Sequence, residues 1–409
     1  MDRAPAHPAS ATESRSSLER YFDRPEAAGE PSASFRPSPM LTRLTGTSLR
    51  NPVGGAKLLR LDAADPHLPT PAPIVEAAHH ALLEGYTRYT DRTGDPQLRE
   101  ALAAELSCTA AEPYSFEQIL VTHGANGALA AAILATVGPG DRVVLPDPTY
   151  SLYADLVAMA GAEPVLVPSE ADGSLDLDAL APRVHGARLL VLCHPSNPTG
   201  HVYSESELVA LAQVLEPEPT MVLVDEAYAA FVHAGRMFTT SPSVPTLRPR
   251  LLYCQTFSKR FAMTGWRIGF LAGPAAVVSA AARIHRTLLG PVNSAVQRAA
   301  LFALRNPQLA EPIRATYAEH RTLAVDRLTA AGHDGFVPPA GGLFVHLRFS
   351  GPLSSVEAAR RLREVQGVAV RPGREFGPAG EGHLRISFAV AEEDLARGLD
   401  LLVEGLSSL

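Results

Sequence analysis

At 409 residues the chain is long enough for two or three domains, or for one large α/β domain with a smaller companion. Its hydrophobic fraction of 46% is ordinary for a globular protein, and a formal net charge of −7 gives no global pull toward nucleic acid. No apolar run is long enough to span a bilayer, and Met1 to Ser17 lacks the apolar core of a signal peptide.

Residues 1–38 are rich in Pro, Ala, Ser and charge and read as a mobile arm, with a short helix around Ser17–Phe22. Leu58–Leu61 reads as a strand, followed by Asp62-Ala63-Ala64-Asp65-Pro66. Pro73–Glu84 reads as a helix opened by proline. A spaced array of Tyr89, Gly94, Leu98 and Arg99 comes next, with Tyr86 beside it. Ile119–Thr122 is a strand, then His123-Gly124-Ala125-Asn126 opens an alanine-rich helix that runs to about Val137. A strand, a glycine turn and a helix N-terminus form an anion site, because the free N–H groups and the helix dipole point the same way.

Arg142–Leu145 is the next strand, with Pro148-Thr149-Tyr150 after it. Arg188–Cys193 is another, leading into Asn197-Pro198-Thr199-Gly200. Thr220–Val224 is fully apolar and ends in Asp225-Glu226-Ala227-Tyr228. Open α/β sheets keep ligands at the carboxyl ends of such strands. A buried aspartate there needs a cationic partner. Leu251–Cys254 reads as a buried strand, followed by Thr256-Phe257-Ser258-Lys259 and Arg267. A lysine amine becomes a nucleophile when a site lowers its pKa or a carbonyl cofactor captures it. Thr256, Ser258 and Arg267 are placed to hold a phosphate beside Lys259, and a carbonyl cofactor bearing a phosphate is pyridoxal 5'-phosphate. Helices dominate from Ala275 to Leu304, and Glu311–Ala331 is one long helix. Pro339–Val345 and Val368–Gly373 lead to Gly382–Phe388, a strand carrying Arg385. Cys193 and Cys254 lie in apolar runs and read as buried thiols. With no CxxC pair, the cysteines fit a reducing cytoplasm. The 14 histidines show no metal-ligand spacing.

Thr-Phe-Ser-Lys followed by Arg267-Ile268-Gly269, with Asn-Pro-Thr-Gly and Asp-Glu-Ala-Tyr in order before it, resembles the class I/II pyridoxal-phosphate-dependent aminotransferases. The likeness covers about residues 55–405. It implies fold type I: an α/β protein with a mostly parallel central sheet, helices on both faces and a small split α/β domain. The implied boundaries are an arm at 1–38, the first part of the small domain at 39–75, the large cofactor domain at 76–305 and the rest of the small domain at 306–409. The phosphate loop of the family matches Gly124, Ala125 and Asn126, and its ring-stacking aromatic matches Tyr150. Asn197 and Tyr228 match the residues that bond the cofactor's phenolic oxygen, Asn197 also the one on the substrate carboxylate, and Asp225 the residue on the ring nitrogen. Arg385 matches the clamp on the substrate α-carboxylate. Tyr89 matches a tyrosine that reaches the neighbouring subunit's phosphate, which implies a homodimer with shared active sites. Two positions depart from the pattern: Thr256 stands where Ser or Gly is usual, and Ala64 where a glycine meets the substrate. Leu288 fills the slot of the arginine that dicarboxylate-specific members use, with Arg286 two residues away.

The resemblance implies an enzyme that moves an amino group between an L-amino acid and a 2-oxo acid, with Lys259 carrying the cofactor and shuttling the α-proton. The same motifs fit a C–S β-lyase, a cyclase or an oxidase, and more remotely a non-catalytic sensor. The donor, and a place in primary or specialised metabolism, stay open. Plainer readings also stand: Tyr89 and Tyr150 as structural tyrosines, Lys259 as a surface lysine, Arg385 as an edge-strand arginine. Partners are expected to be small molecules and a second copy of the chain, with neither nucleic acid nor membrane.

Overall fold

The structure, a computed structural model, describes Leu44, residues 58–233 and residues 235–408. The expected arm at 1–38, with its short helix, lies outside the described residues. Everything below belongs to one compact unit, residues 43–409.

After a short strand β1 (Leu59–Arg60), seven strands build one sheet: β2 (Ile119–Thr122), β3 (Arg142–Asp147), β4 (Glu163–Pro168), β5 (Leu189–Cys193), β6 (Met221–Asp225), β7 (Leu251–Thr256) and β8 (Gly269–Ala272). Their spatial order is β2-β8-β7-β6-β5-β3-β4, and only β8 runs against its neighbours. The continuous apolar runs at Leu189–Cys193 and Met221–Val224 have the composition of strands covered on both faces. Alternation along each strand then divides the side chains between two cores. Val191, Leu223 and Leu252 belong to one, and Leu190, Val222 and Leu251 to the other.

Helices cover both faces. They are α1 (Ala72–Leu83), α2 (Pro96–Ser107), α3 (Gly124–Thr136), α4 (Leu152–Met159), α5 (Leu177–Val184), α6 (Glu205–Leu215), α7 (Phe257–Arg260), α8 (Ala275–Leu289), α9 (Ser294–Arg305), α10 (Glu311–Ala330), α11 (Ser355–Arg361) and α12 (Glu392–Leu406). Ala128 of α3, Leu156 of α4 and Val278 of α8 join the first core. Ile74, Leu98, Leu208 and Ala299, from α1, α2, α6 and α9, join the second. Local signals fix several starts. Asp95 caps α2 by accepting from the Gln97 and Leu98 amides, with Pro96 just inside. Ser204 and Glu207 form a reciprocal capping box on α6.

Two smaller sheets come from the ends of the described chain. Strands β9 (Phe344–Arg348), β11 (Arg371–Pro372) and β12 (His383–Ser387) form an antiparallel sheet in the order β11-β12-β9, and β10 (Val368–Ala369) pairs with β1. The stretch Val368–Gly373 is therefore shared between two sheets on either side of Val370. The helical zone expected from Ala275 to Leu304 is two helices, parted after Leu289 by Gly290 at φ 71°. Strand β6 extends one residue beyond the apolar run, so Asp225 belongs to the ladder itself and is held in its register.

Candidate active site

At the carboxyl ends of β5, β6 and β7 lies a cavity of about 410 Å³, of a size suited to a small molecule. Ala64, Ala125, Asn126, Tyr150, Asn197, Asp225, Tyr228, Thr256, Ser258, Lys259, Arg267 and Arg385 all line it. They come from segments far apart in the sequence, and the sheet brings them together.

Asp225 is the last residue of β6 and sits beside Cys193 of β5 and Cys254 of β7, its register partners. Its carboxylate is buried, accepting from the Tyr153 hydroxyl at 2.9 Å and the Ala227 amide at 3.1 Å. Burial pushes its pKa up to about 6, against the opposing effects of those two bonds and of Lys259. A cation in the cavity reverses that shift.

Lys259 lies in the four-residue helix α7, directly after β7. Its Nζ donates to the Ala64 carbonyl at 2.7 Å. Burial is the main reason its pKa falls to about 8; Arg385 and Arg267 add to the fall, while Asp65 and Asp225 resist it. About a tenth of the amine is thus unprotonated at pH 7, far more than for an ordinary lysine, and the unprotonated form is what a nucleophile or a proton-transfer base requires.

Helix α3 begins at Gly124, and no side chain caps it. Its first-turn amides have no intrahelical acceptor, and Ala125 and Asn126 line the cavity. Gly124 has φ 64°, and a Cβ there would lie 2.7 Å from Arg267 Nη2, so the bare backbone is what lets the guanidinium settle over the helix start. Arg267, itself left-handed at φ 53°, donates to the Thr264 carbonyl at 2.8 Å. An arginine over an uncapped helix N-terminus is a cradle for a phosphate. The Thr256 hydroxyl serves mainly as a local cap: it accepts from the Ser258 amide at 3.1 Å and lies 2.8 Å from Ser258 Oγ. These features fit pyridoxal phosphate: a cradle for the phosphate, a carboxylate for the ring nitrogen and an amine for the aldehyde.

Arg385 is 4% exposed. It donates to Asn197 Oδ1 at 3.0 Å and to the Asp62 carbonyl at 2.7 Å, while its Nε finds no partner. Both acceptors are neutral. Burial, followed by the nearby Arg371, lowers its pKa to about 10. An unpaired, buried guanidinium facing a cavity is a carboxylate site.

Two expected residues stand apart. Gly124 lies behind the wall, and Tyr89 is 92% exposed and away from the cavity. The alternative tyrosine, Tyr86, lies beneath the Arg298 guanidinium, 5.0 Å from ring centroid to Cζ. Ala64 occupies the expected place, and its contribution is its carbonyl. Tyr153 was not among the expected residues. It follows Tyr150 by one helical turn, its ring meets that of Tyr150 edge-on at 5.6 Å, and its hydroxyl orients Asp225. That i, i+3 spacing at a helix start was the available signal.

The mostly parallel seven-stranded sheet, with the cavity at its strand ends, gives the α/β architecture of fold type I. The sequence matches the family described as aminotransferase class I and II over residues 56–402. It is 32% identical over 374 residues to the bifunctional aspartate aminotransferase and glutamate/aspartate-prephenate aminotransferase of Petunia hybrida, covering 87% of this chain and 78% of that one. The aromatic aminotransferase of Pyrococcus horikoshii superposes with a TM-score of 0.83 at 31% identity, over 87% and 97% of the two chains. The aspartate aminotransferase of Thermus thermophilus with maleate does so with a TM-score of 0.80 at 34% identity, over 85% and 92%. The chain belongs to the class I and II aminotransferases, a family of pyridoxal-phosphate-dependent enzymes that transfer amino groups between amino acids and 2-oxo acids.

Proposed function

We propose that Lys259 carries pyridoxal phosphate in this cavity and that the reaction is transamination at an L-amino acid. The observation behind it is the convergence of Lys259 Nζ, the Asp225 carboxylate and Arg385 on one cavity. When bound, the cofactor supplies an electron sink for the pair left by the broken α-C–H bond. The chain's residues do the rest. Arg267 and the α3 amides hold the phosphate, and Asp225, oriented by Tyr153, holds a proton on the ring nitrogen. Tyr150 covers the ring face and excludes water. Arg385, steadied by Asn197, fixes the substrate α-carboxylate so that the α-hydrogen faces Lys259 Nζ. The Lys259 amine would take that proton and hold it beside the reacting carbon. Tyr228, buried and with its phenol pKa raised by burial, stays protonated and donates to the phenolic oxygen.

The working unit in this proposal is a cytoplasmic homodimer, with Tyr89 serving the neighbour's phosphate. Residues 76–305 form its large domain, and 39–75 with 306–409 the small one. The separate sheets support that division: the seven central strands fall within 119–272, and the smaller sheets use 59–60 and 344–387. Among the described residues no helix is long and apolar enough to cross a membrane.

Borohydride reduction of the active protein, followed by peptide mapping, tests the proposal. A pyridoxyl group on Lys259 is expected. An adduct on another lysine, or none in a fully loaded active protein, refutes it.

A further inference from the structure

We infer that the protein has a second ligand site, behind the first, that takes a small aromatic acid. The inference needs neither the cofactor nor the transamination reading. The site is a cavity of about 570 Å³, larger than the 410 Å³ of the first. The two share a wall, since Ala227 and Thr256 line both. Consecutive residues part to its two sides. At the end of β6, Asp225 lines the first cavity and Glu226 the second. In α7, Ser258 and Lys259 line the first, while Phe257 and Arg260 line the second.

The walls of the second cavity state what fits it. Phe238 lines it together with Tyr253, Phe257, Phe261 and Phe270 of the second core. Aromatic walls receive another ring edge-on or offset. The cavity is built in advance, because Glu226 is buried and accepts from the Thr240 hydroxyl at 2.7 Å and from the Ser241 amide and hydroxyl at 2.6 and 2.8 Å. Those bonds tie the loop at Thr240 and Ser241 to the end of β6 and engage the carboxylate within the chain. The remaining charges favour an anion. Arg236, Arg260 and Arg314 line the cavity with Glu105 and Glu311. Arg260 gives only Nη1 to Glu105, at 2.8 Å, and Arg314 only Nη1 to the two oxygens of Glu311, at 2.8 and 2.9 Å. Among the described residues the Nε and Nη2 of both stay open, and the Arg236 guanidinium has no partner. Both ion pairs are partly exposed and so weakly held. An acid therefore finds open guanidinium donors beside a wall of rings. A carboxylate is one source of that acid, and a phosphate is the other.

Photolabelling of the cofactor-loaded full chain tests this without any variant. Irradiation with 4-azidophenylacetate should label peptides within residues 229–240 or 304–314, and excess phenylacetate should suppress that label. Label found only in the peptides of the first cavity, or label that phenylacetate does not suppress, overturns the inference. Calorimetry then reads the chemistry in the Arg385→Gln chain, whose first cavity has lost a guanidinium. Phenylacetate or phenyl phosphate is expected to bind at least about tenfold more tightly than 2-phenylethanol, the scale of one charged hydrogen bond. Whichever of the two acids is tighter identifies the source. Thr109 is exposed and lines the second cavity. Thr109→Trp in the same chain fills that space and should weaken the tighter acid at least about tenfold. Equal affinities for the acids and 2-phenylethanol overturn the inference, as does a Thr109→Trp variant that binds the tighter acid undiminished.

Discussion

Lys259 shows how burial prepares a side chain for chemistry. Its amine is brought down to about 8 by burial, aided by two arginines, while it remains hydrogen-bonded to the Ala64 carbonyl. Only the unprotonated amine attacks an aldehyde. The rate at which cofactor-free protein captures pyridoxal phosphate should therefore rise with pH through about 8 and level off above it. An ordinary lysine would still be gaining rate above pH 10. Stopped-flow absorbance across pH 6.5–10 measures this, and a rate still climbing at the upper end would contradict the lowered pKa. The same shift has a sign for stability. A depressed lysine pKa means that the unfolded chain binds more protons between about 8 and 10.5. This group's contribution to the cofactor-free fold therefore improves as pH rises through that window.

Among the elements, the start of helix α3 is the one whose backbone the site cannot alter cheaply. At Gly124 a methyl group would lie 2.7 Å from Arg267 Nη2 and occupy a left-handed φ of 64°. The left-handed conformation costs roughly 1–2 kcal/mol for a residue with a Cβ. The arginine end is flexible and can retreat, which takes it away from the phosphate position. Gly124→Ala should thus lower the melting temperature modestly and weaken cofactor retention by about tenfold or more, the worth of a charge-assisted contact. Equilibrium dialysis against pyridoxal phosphate, alongside thermal melts, separates the two effects. Retained affinity would show that Arg267 does not hold the phosphate. Elements of this kind were readable from the sequence, because each is a local pattern: a buried run, a glycine turn, then a helix. Strands β5, β6 and β7 announced themselves as unbroken apolar runs, since a sheet covered on both faces needs no polar alternation. Of the three-stranded sheet, Gly382–Phe388 could be read as a strand, but the short β11 could not. It is two residues long, and what makes it a strand is pairing with residues around Arg385. Tyr153 escaped although it follows Tyr150 by three residues, because what gives it a role is its hydrogen bond to Asp225, distant in the chain.

For the whole molecule, several large side chains stand exposed outside the cavity. Tyr89 is 92% exposed, and Leu83, Leu288 and Leu289 are 72%, 54% and 48% exposed. A Cβ on Gly127 of α3 would come within 3.5 Å of Leu289, so one of these leucines stands next to the helix that starts the phosphate cradle. If a second copy covers them, the pairing is two-fold and each site borrows from its neighbour. Light scattering should report a dimer at assay concentrations, and Tyr89→Phe should weaken cofactor binding without dissolving that dimer. An active monomer would remove the shared-site proposal. The positions of the site residues on the central sheet could be anticipated from the sequence, but the exposure of these residues could not, because a chain's own pattern does not show which apolar residues stay outside its core.

The segment that follows β1 touches both Arg385 and Lys259. The Asp62 carbonyl accepts from Arg385 at 2.7 Å, and two residues on the Ala64 carbonyl accepts from Lys259 at 2.7 Å. A few residues of backbone, directly after β1, thus link the Arg385 guanidinium to the Lys259 amine. When Lys259 is engaged elsewhere, Ala64 loses its donor while Asp62 keeps its own. The segment then changes from a strap fastened at two points to a tether fastened at one. Occupation of Lys259 would in this way remove one of the two side-chain donors on the loop that also holds Arg385.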